Sequence, residues 1–279
     1  MKIGLIRERK NPPDNRVALI PTQCAFVERL FPVKIIVEPS DDRCFSEAEY
    51  DDEDVKISNN LESCDFLLGI KEVPIEYLIE GKTYFFFSHT IKKQPHNKLL
   101  LQKILEKKIT LIDYEVLTDD YGQRLIAFGK FAGMVGAHNA ILGYGDSFAA
   151  FKLPRMNTLK SYAEARATYK KMKFPPLSVV ISGSGRVARG AMEVLHDMGF
   201  KQISPMHFAE QRFDQPVFTQ ISAEHYSERT DGTHFNKRDF YANPSLFRSN
   251  FQNFTQKQIF SSIVFTTICA RLVFLSLKK

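Results

Sequence analysis

Residues 177–191, LSVVISGSGRVARGA, constrain the fold more than any other stretch of the chain. A β-branched apolar run enters Gly183-Ser184-Gly185, and the residues beyond continue through Glu193-Val194-Leu195 at helical spacing. A strand that turns on glycine directly into a helix opens a parallel α/β unit. The pattern is G-x-G-x-x-A. The first glycine permits the tight turn, and the second lets the backbone approach a pyrophosphate. The small third position, Ala188, allows close helix–strand packing, and the helix N-terminus attracts the anion. A glycine turn between any strand and helix reads the same way, so the flanking strand and helix carry the signal. A ribose-binding Asp or Glu is expected about 20 residues further on, at the end of the second strand. That strand is read as residues 201–204, and the nearest acidic residue past it is Glu210. The choice between NAD and NADP stays open.

Upstream, short apolar runs at residues 2–6, 33–37, 66–70, 83–87 and 109–112 read as strands. Helical spacing appears at 21–30, with Thr22 as N-cap, and at 98–107. Strands alternating with helices predict a parallel sheet, and in such sheets chemistry gathers beyond the carboxyl ends of the strands. Lys71, His89 and Glu115 each follow an expected strand. Residues 128–145 are rich in Gly and Ala, which lets a helix pack closely on its neighbours. Residues 151–176 are polar, end in Pro175-Pro176 and read as a linker. The expected fold is α/β, with two Rossmann-like parallel-sheet domains, the second incomplete. The expected division is 1–140, a helical connection and linker at 141–176, a partial dinucleotide-binding domain at 177–257, and an apolar tail at 258–279.

Charge and cysteine usage exclude other classes. A net charge of +6 over 279 residues, with no Lys/Arg stripe interleaved with aromatics, argues against nucleic-acid binding. Cys24, Cys44, Cys64 and Cys269 show no CxxC and no Cys/His spacing, so neither a disulfide framework nor a metal site is expected. The opening MKIGLIRERK has too short an apolar run for a signal peptide, and a cytoplasmic location is expected.

Oxidation at a carbon–nitrogen bond needs an acid/base for the amine or imine and another for the water. Lys and His suit these tasks, and an arginine fork suits a substrate carboxylate. Taken alone, Lys71 reads equally as a surface lysine, His89 as a capping or core histidine and Arg16 as a loop charge.

Six ordered segments change those weights. They are Glu8-Arg9-Lys10 with Asn15-Arg16-Val17-Ala18-Leu19-Ile20-Pro21-Thr22, Leu68-Gly69-Ile70-Lys71-Glu72-Val73-Pro74, and Phe87-Ser88-His89-Thr90-Ile91-Lys92-Lys93-Gln94. They continue with Leu111-Ile112-Asp113-Tyr114-Glu115, Gly122-Gln123-Arg124-Leu125-Ile126-Ala127-Phe128-Gly129 and the glycine loop. In this order they resemble lysine-forming saccharopine dehydrogenases and, more distantly, alanine dehydrogenases and the transhydrogenase alpha chain. The Ala127-Phe128-Gly129-x-x-Ala132-Gly133 pattern is of the saccharopine type. The resemblance implies an NAD(P)-dependent oxidoreductase acting on a small amino-acid substrate. Lys71 and His89 match the acid/base pair. Arg16 and Arg124 match arginines that hold substrate carboxylates, and Gln94 and Phe128 match pocket positions. Glu115 matches an acidic residue near the lysine that tunes its charge. The cofactor positions are Gly183, Ser184, Gly185, Arg186 and Val187. One departure is Gln123-Arg124, where the family often has two arginines. The implied reaction is of the saccharopine dehydrogenase type. An alanine-dehydrogenase-like deaminase and a truncated, inactive ligand-binding protein are the alternatives.

Residues 207–256 read as a polar and aromatic insertion, and after Asp239 no acidic residue occurs. The closing QIFSSIVFTTICARLVFLSLKK changes character, and residues from 258 are read as an out-of-frame translation. Two other readings stand beside it: a native strand pair, or a membrane anchor over 259–277, against which Arg271 would count about 2.5–3.5 kcal/mol.

Overall fold

The computed structural model describes residues 1–12, 14–255, 262–265 and 273–274, the last two segments by backbone alone. The chain divides into two compact units, Met1–Ala127 and Phe128–Lys279. The first contains β1 (Lys2–Leu5), α1 (Pro21–Leu30), β2 (Lys34–Val37), α2 (Glu47–Asp51) and β3 (Lys56–Ile57). It continues through β4 (Phe66–Leu68), β5 (Thr83–Phe86), α3 (Lys98–Glu106) and β6 (Thr110–Asp113). All six strands pair in parallel, in the order β3-β2-β1-β4-β5-β6.

The order reverses between β1 and β4. The first three strands are laid down in one direction and the next three in the other, which makes the ends of β1 and β4 the topological switch point of the sheet. The strands are apolar on both faces because helices and loops cover them: Leu5, Ile35, Val37 and Tyr50 form one cluster, and Ile36, Leu67, Tyr84, Phe86 and Ile104 another. The N-cap of helix α1 lies two residues before the expected one. Ile20 is the N-cap, Pro21 takes the first helical position, and the Gln23 side chain accepts the Ile20 N–H at 3.1 Å, so Thr22 lies inside the helix.

The second unit opens with α4 (Gly129–Ser147) and α5 (Tyr162–Tyr169), followed by β7 (Ser178–Ser182), α6 (Arg186–Asp197) and β8 (Lys201–Gln202). Next come α7 (Pro205–Glu210), β9 (Val217–Ile221), α8 (Ala223–Tyr226), β10 (Ser227–Arg229), α9 (Lys237–Ala242) and β11 (Phe247–Ser249). The last described strands are β12 (Ser262–Phe265) and β13 (Val273–Phe274). The residues expected to form a linker contain α5, whose Ala165 and Tyr169 are buried in the unit's main core beside Ile141, Val179 and Leu195.

The main sheet runs β13-β12-β7-β9-β8, parallel except for β13. The strand after the glycine loop, β8, therefore does not lie beside β7. Strand β9, from the stretch read as an insertion, takes that place and pushes β8 to the edge. Val217, Phe218 and Ile221 are buried there, which is what an apolar β-branched run does when it becomes an inner strand. The tail reading from residue 258 falls mostly outside the described residues.

Helices α4 and α6 cross backbone to backbone. A Cβ on Gly133 would stand 1.9 Å from the Val187 carbonyl oxygen, and one on Gly190 would stand 1.9 Å from that of Lys130. Only glycine permits this approach.

Candidate active site

The carboxyl ends of β1, β4, β5 and β6 carry the expected chemistry, and the structure ties them together. Glu8, just beyond β1, turns its carboxylate onto the loop after β4. Oε1 accepts the Ile70 N–H at 2.6 Å and Oε2 accepts the Lys71 N–H at 2.9 Å. Burial raises the Glu8 carboxyl above its usual range, and these two N–H groups offset part of the rise. Lys71 is half-buried beside this clamp, and its charge helps hold Asp14 low, after the larger effect of the Arg16 guanidinium.

The next residue, Glu72, meets His89 from the end of β5: Oε1 lies 2.6 Å from Nδ1. Its Oε2 takes Lys10 Nζ at 3.2 Å. Burial pushes the Glu72 carboxyl up, but hydrogen bonds from His89, its own backbone and Lys10 outweigh it, and the net direction is down. His89 adopts φ 57°, ψ 9°, a left-handed conformation that a non-glycine residue holds only when its surroundings impose it. Beside it, Ser88 Oγ is buried and donates to Asp113 Oδ2, and Asp113 Oδ1 accepts the Glu115 N–H at 2.8 Å. The ends of β5 and β6 are thereby fixed to each other.

Glu115 Oε1 is shared by Lys92 Nζ at 3.0 Å and Arg124 Nη1 at 3.1 Å. Its Oε2 is buried without a partner among the described residues. Arg16 makes a two-point pair with Asp14, Nε to Oδ1 at 2.8 Å and Nη2 to Oδ2 at 2.5 Å. Both arginines expected to bind substrate carboxylates are thus ion-paired with a carboxylate of the protein. Gln94 is exposed and precedes the 3-10 turn Pro95–Asn97, outside this hydrogen-bonded cluster. Phe128 belongs to the second unit, where it caps α4.

The site has members that pattern reading passed over. Glu8 and Glu72 lie inside the quoted motifs without a role, and Asp14, Lys92, Ser88 and Asp113 complete the network. Their signal is adjacency to the strand-end residues, which becomes informative only when the strands are aligned. A cavity of about 430 Å³ is lined by Ile6, Arg9, Glu38, Leu67, Tyr77 and Tyr84, among others, and by none of the expected site residues. Arg9 is committed there, ion-paired with Glu38 and 4.3 Å over the Tyr77 ring.

In the second unit the glycine loop has the geometry a phosphate needs. Gly183 has φ +99°, and its N–H donates to Ile221 O at 2.8 Å while Gln220 Nε2 donates to its carbonyl at 2.9 Å. Gly185 is the N-cap of α6, and no heavy atom lies within 4 Å of where its Cβ would be. Ser184, Arg186 and Val187 flank that open face at the loop and the first turn, while Ala188 is buried. A pyrophosphate fits this cradle.

Parallel α/β units with polar side chains gathered at strand ends define the class of the fold. Residues 4–135 match the family described as alanine dehydrogenase/PNT, N-terminal domain. The chain is homologous to the alpha-aminoadipic semialdehyde synthase of Arabidopsis thaliana, 31% identical over 89% of this chain and 27% of that protein. It is likewise homologous to the saccharopine dehydrogenase [NAD(+), L-lysine-forming] of Emericella nidulans, 30% identical over 72% of this chain and 58% of that one. The chain therefore spans little more than a quarter of the first relative and under two thirds of the second. A solved L-alanine dehydrogenase is similar at 14% identity and TM-score 0.48, covering 79% of this chain and 61% of that one. Among the described residues no helix is long and apolar enough to cross a membrane.

Proposed function

We propose that the chain serves an NAD-dependent oxidoreductase of the saccharopine dehydrogenase type: saccharopine, NAD⁺ and water giving lysine, 2-oxoglutarate and NADH. The observation that carries this reading is the placement of Lys71, tied by its backbone to Glu8, and of the Glu72–His89 couple at the ends of β4 and β5, beside the point where the strand order reverses. A dinucleotide held by its pyrophosphate in the glycine-loop cradle of Gly183, Ser184, Gly185, Arg186 and Val187 would supply its oxidised nicotinamide as the hydride acceptor.

The protein's own residues do the rest. Lys71 takes the proton of the secondary amine and returns one to the departing amine. His89 removes a proton from the water that adds to the imine carbon. Its Nδ1 is engaged by Glu72, so Nε2 is the nitrogen that exchanges it. Arg16 and Arg124 exchange Asp14 and Glu115 for substrate carboxylates, and Glu115 keeps its pair with Lys92. The same reading places the protein in a reducing compartment, the cytoplasm, where the unpaired Cys24, Cys44 and Cys64 are stable as thiols. The reading of residues from 258 as out of frame belongs to this proposal; the parallel pairing of Ser262–Phe265 with Ser178–Ile181 favours a native strand instead, and resequencing of the codons for 245–279 decides between them.

The deciding assay follows NADH formation with saccharopine and, separately, with alanine. Turnover of saccharopine supports the proposal. Turnover of alanine alone assigns the simpler deaminase, and NADH binding without turnover of either assigns a ligand-binding protein.

A further inference from the structure

Glu72 holds the ring of His89, and a separate set of bonds holds the backbone that carries it. The chain leaves β5 at Phe86 and enters the 3-10 turn Thr90–Lys92 through His89, at φ 57°. A side chain is crowded in that left-handed region, so the residues on either side must impose it.

Both sides converge on Ser88 Oγ. It accepts the Thr90 N–H at 3.1 Å, lies 2.8 Å from Thr90 Oγ1 and donates to Asp113 Oδ2. A carboxylate only accepts, so the proton of Ser88 goes to Asp113 and Thr90 Oγ1 donates to Ser88 Oγ. The hydroxyl then has its proton and both lone pairs in use. Ser88 and Asp113 are both buried, and His89 is bracketed by neighbours that meet on a single oxygen. The other carboxylate oxygen, Asp113 Oδ1, takes the Glu115 N–H at 2.8 Å, and Glu115 Oε1 reaches back to Lys92 Nζ at 3.0 Å. The segment Ser88–Lys92 is thus tethered to the end of β6 at its first residue and at its last.

Resting on the reading of His89 as the base that takes a proton from water, we propose that Asp113 is a positioning residue of that reaction. Through Ser88 it fixes His89 in the left-handed turn, which keeps Nδ1 on Glu72 and makes Nε2 the nitrogen that exchanges the proton. Asp113 acts at one remove, by way of the backbone, and Thr90 closes the bracket on the far side of the histidine.

The test is Asp113→Asn in the full chain. An amide has one acceptor oxygen, so it serves the Ser88 hydroxyl or the Glu115 N–H but not both. Nitrogen NMR of histidine-labelled protein at alkaline pH, where an imidazole is neutral, reads the tautomer without substrate, and His89→Gln assigns the signal. The native ring shows one tautomer, protonated at Nδ1. Asp113→Asn shows a mixture of the two. Its kcat with saccharopine and NAD⁺ falls about tenfold at unchanged KM, the scale of one hydrogen bond to a charged group. Should the buried variant not fold, Thr90→Val gives the same mixture, and Thr90→Ser, which keeps the hydroxyl, restores the native tautomer. A native tautomer or a native kcat in Asp113→Asn overturns the proposal, as does a native tautomer in Thr90→Val; a lowered melting temperature alone makes Asp113 a structural residue. Absence of saccharopine turnover in the native chain overturns the functional reading instead, and the tautomer comparison then still decides whether Asp113 positions His89.

Discussion

Oε1 of Glu72 stands 2.6 Å from Nδ1 of His89, and that bond joins the loops leaving two neighbouring strands. A carboxylate only accepts, so the proton sits on Nδ1 and the basic nitrogen of the neutral ring is Nε2. Glu72→Gln keeps the shape and removes the charge. It is expected to lower kcat about 10- to 100-fold and to leave NADH binding intact, since the glycine loop is untouched. Steady-state kinetics across pH check this, and an unchanged pH profile would show that Glu72 does not govern the histidine.

Lys71→Met removes the amine acid/base while keeping a flexible chain of similar length. Turnover of saccharopine should fall about 10²- to 10⁴-fold. A near-normal rate in the variant would sink the assignment of Lys71.

Glu8 holds Lys71 by the backbone and not by the side chain. In Glu8→Ala the amides of Ile70 and Lys71 lose their acceptor, at a cost of about 1–3 kcal/mol each if no water replaces it. Hydrogen exchange at those two amides should accelerate and kcat should drop. Glu8→Gln, which retains one acceptor oxygen, should recover part of both. Protection that survives in Glu8→Ala would contradict the clamp.

Gly190→Ala places a methyl group 1.9 Å from the Lys130 carbonyl oxygen. The helices must separate, and destabilisation of about 3 kcal/mol or more is expected. Urea unfolding measures it. A loss under about 1 kcal/mol would mean that α4 and α6 do not cross as described.

His138 is wholly buried, with Nδ1 2.6 Å from Tyr169 Oη and Nε2 2.8 Å from the Pro154 carbonyl oxygen. The carbonyl accepts only, so Nε2–H donates and Nδ1 accepts from the tyrosine. Burial lowers the pKa of His138 below the ordinary histidine value of 6.5, and the bond to Pro154 only partly opposes this. The unfolded chain therefore binds a proton that the folded chain refuses. His138's contribution is fully present above pH 6.5 and is lost as pH falls from 6.5 toward the depressed folded value. Thermal melts between pH 7.5 and 5 should show this slope, and His138→Gln should flatten it.

Pattern reading works where one element suffices. The strand runs at 33–37, 83–87 and 109–112 coincide with β2, β5 and β6 to within a residue at each end, because a short apolar run bounded by polar residues has one way to be covered on both faces. It locates Lys71, His89 and Glu115 at strand ends for the same reason. It fails where the answer depends on which strand neighbours which. Val217-Phe218-Thr219-Gln220-Ile221 has the composition of a buried strand, yet its place between β7 and β8 is decided by pairing across 39 residue positions, from Ser178 to Val217, and local composition carries no trace of that. Thr22 is the small-scale case: a good capping side chain loses to Pro21, whose fixed φ suits the first helical position.

The contact of α4 with α6 leaves no layer of side chains between the two helices at Gly133 and Gly190. Side chains are what allow packed helices to slide, by exchanging one set of rotamers for another. Two backbones in direct contact have no such play. Helix α4 contributes no residue to the glycine loop, yet it acts as the loop's mount: whatever displaces α4 carries the N-terminus of α6, and the phosphate cradle on it, by the same amount.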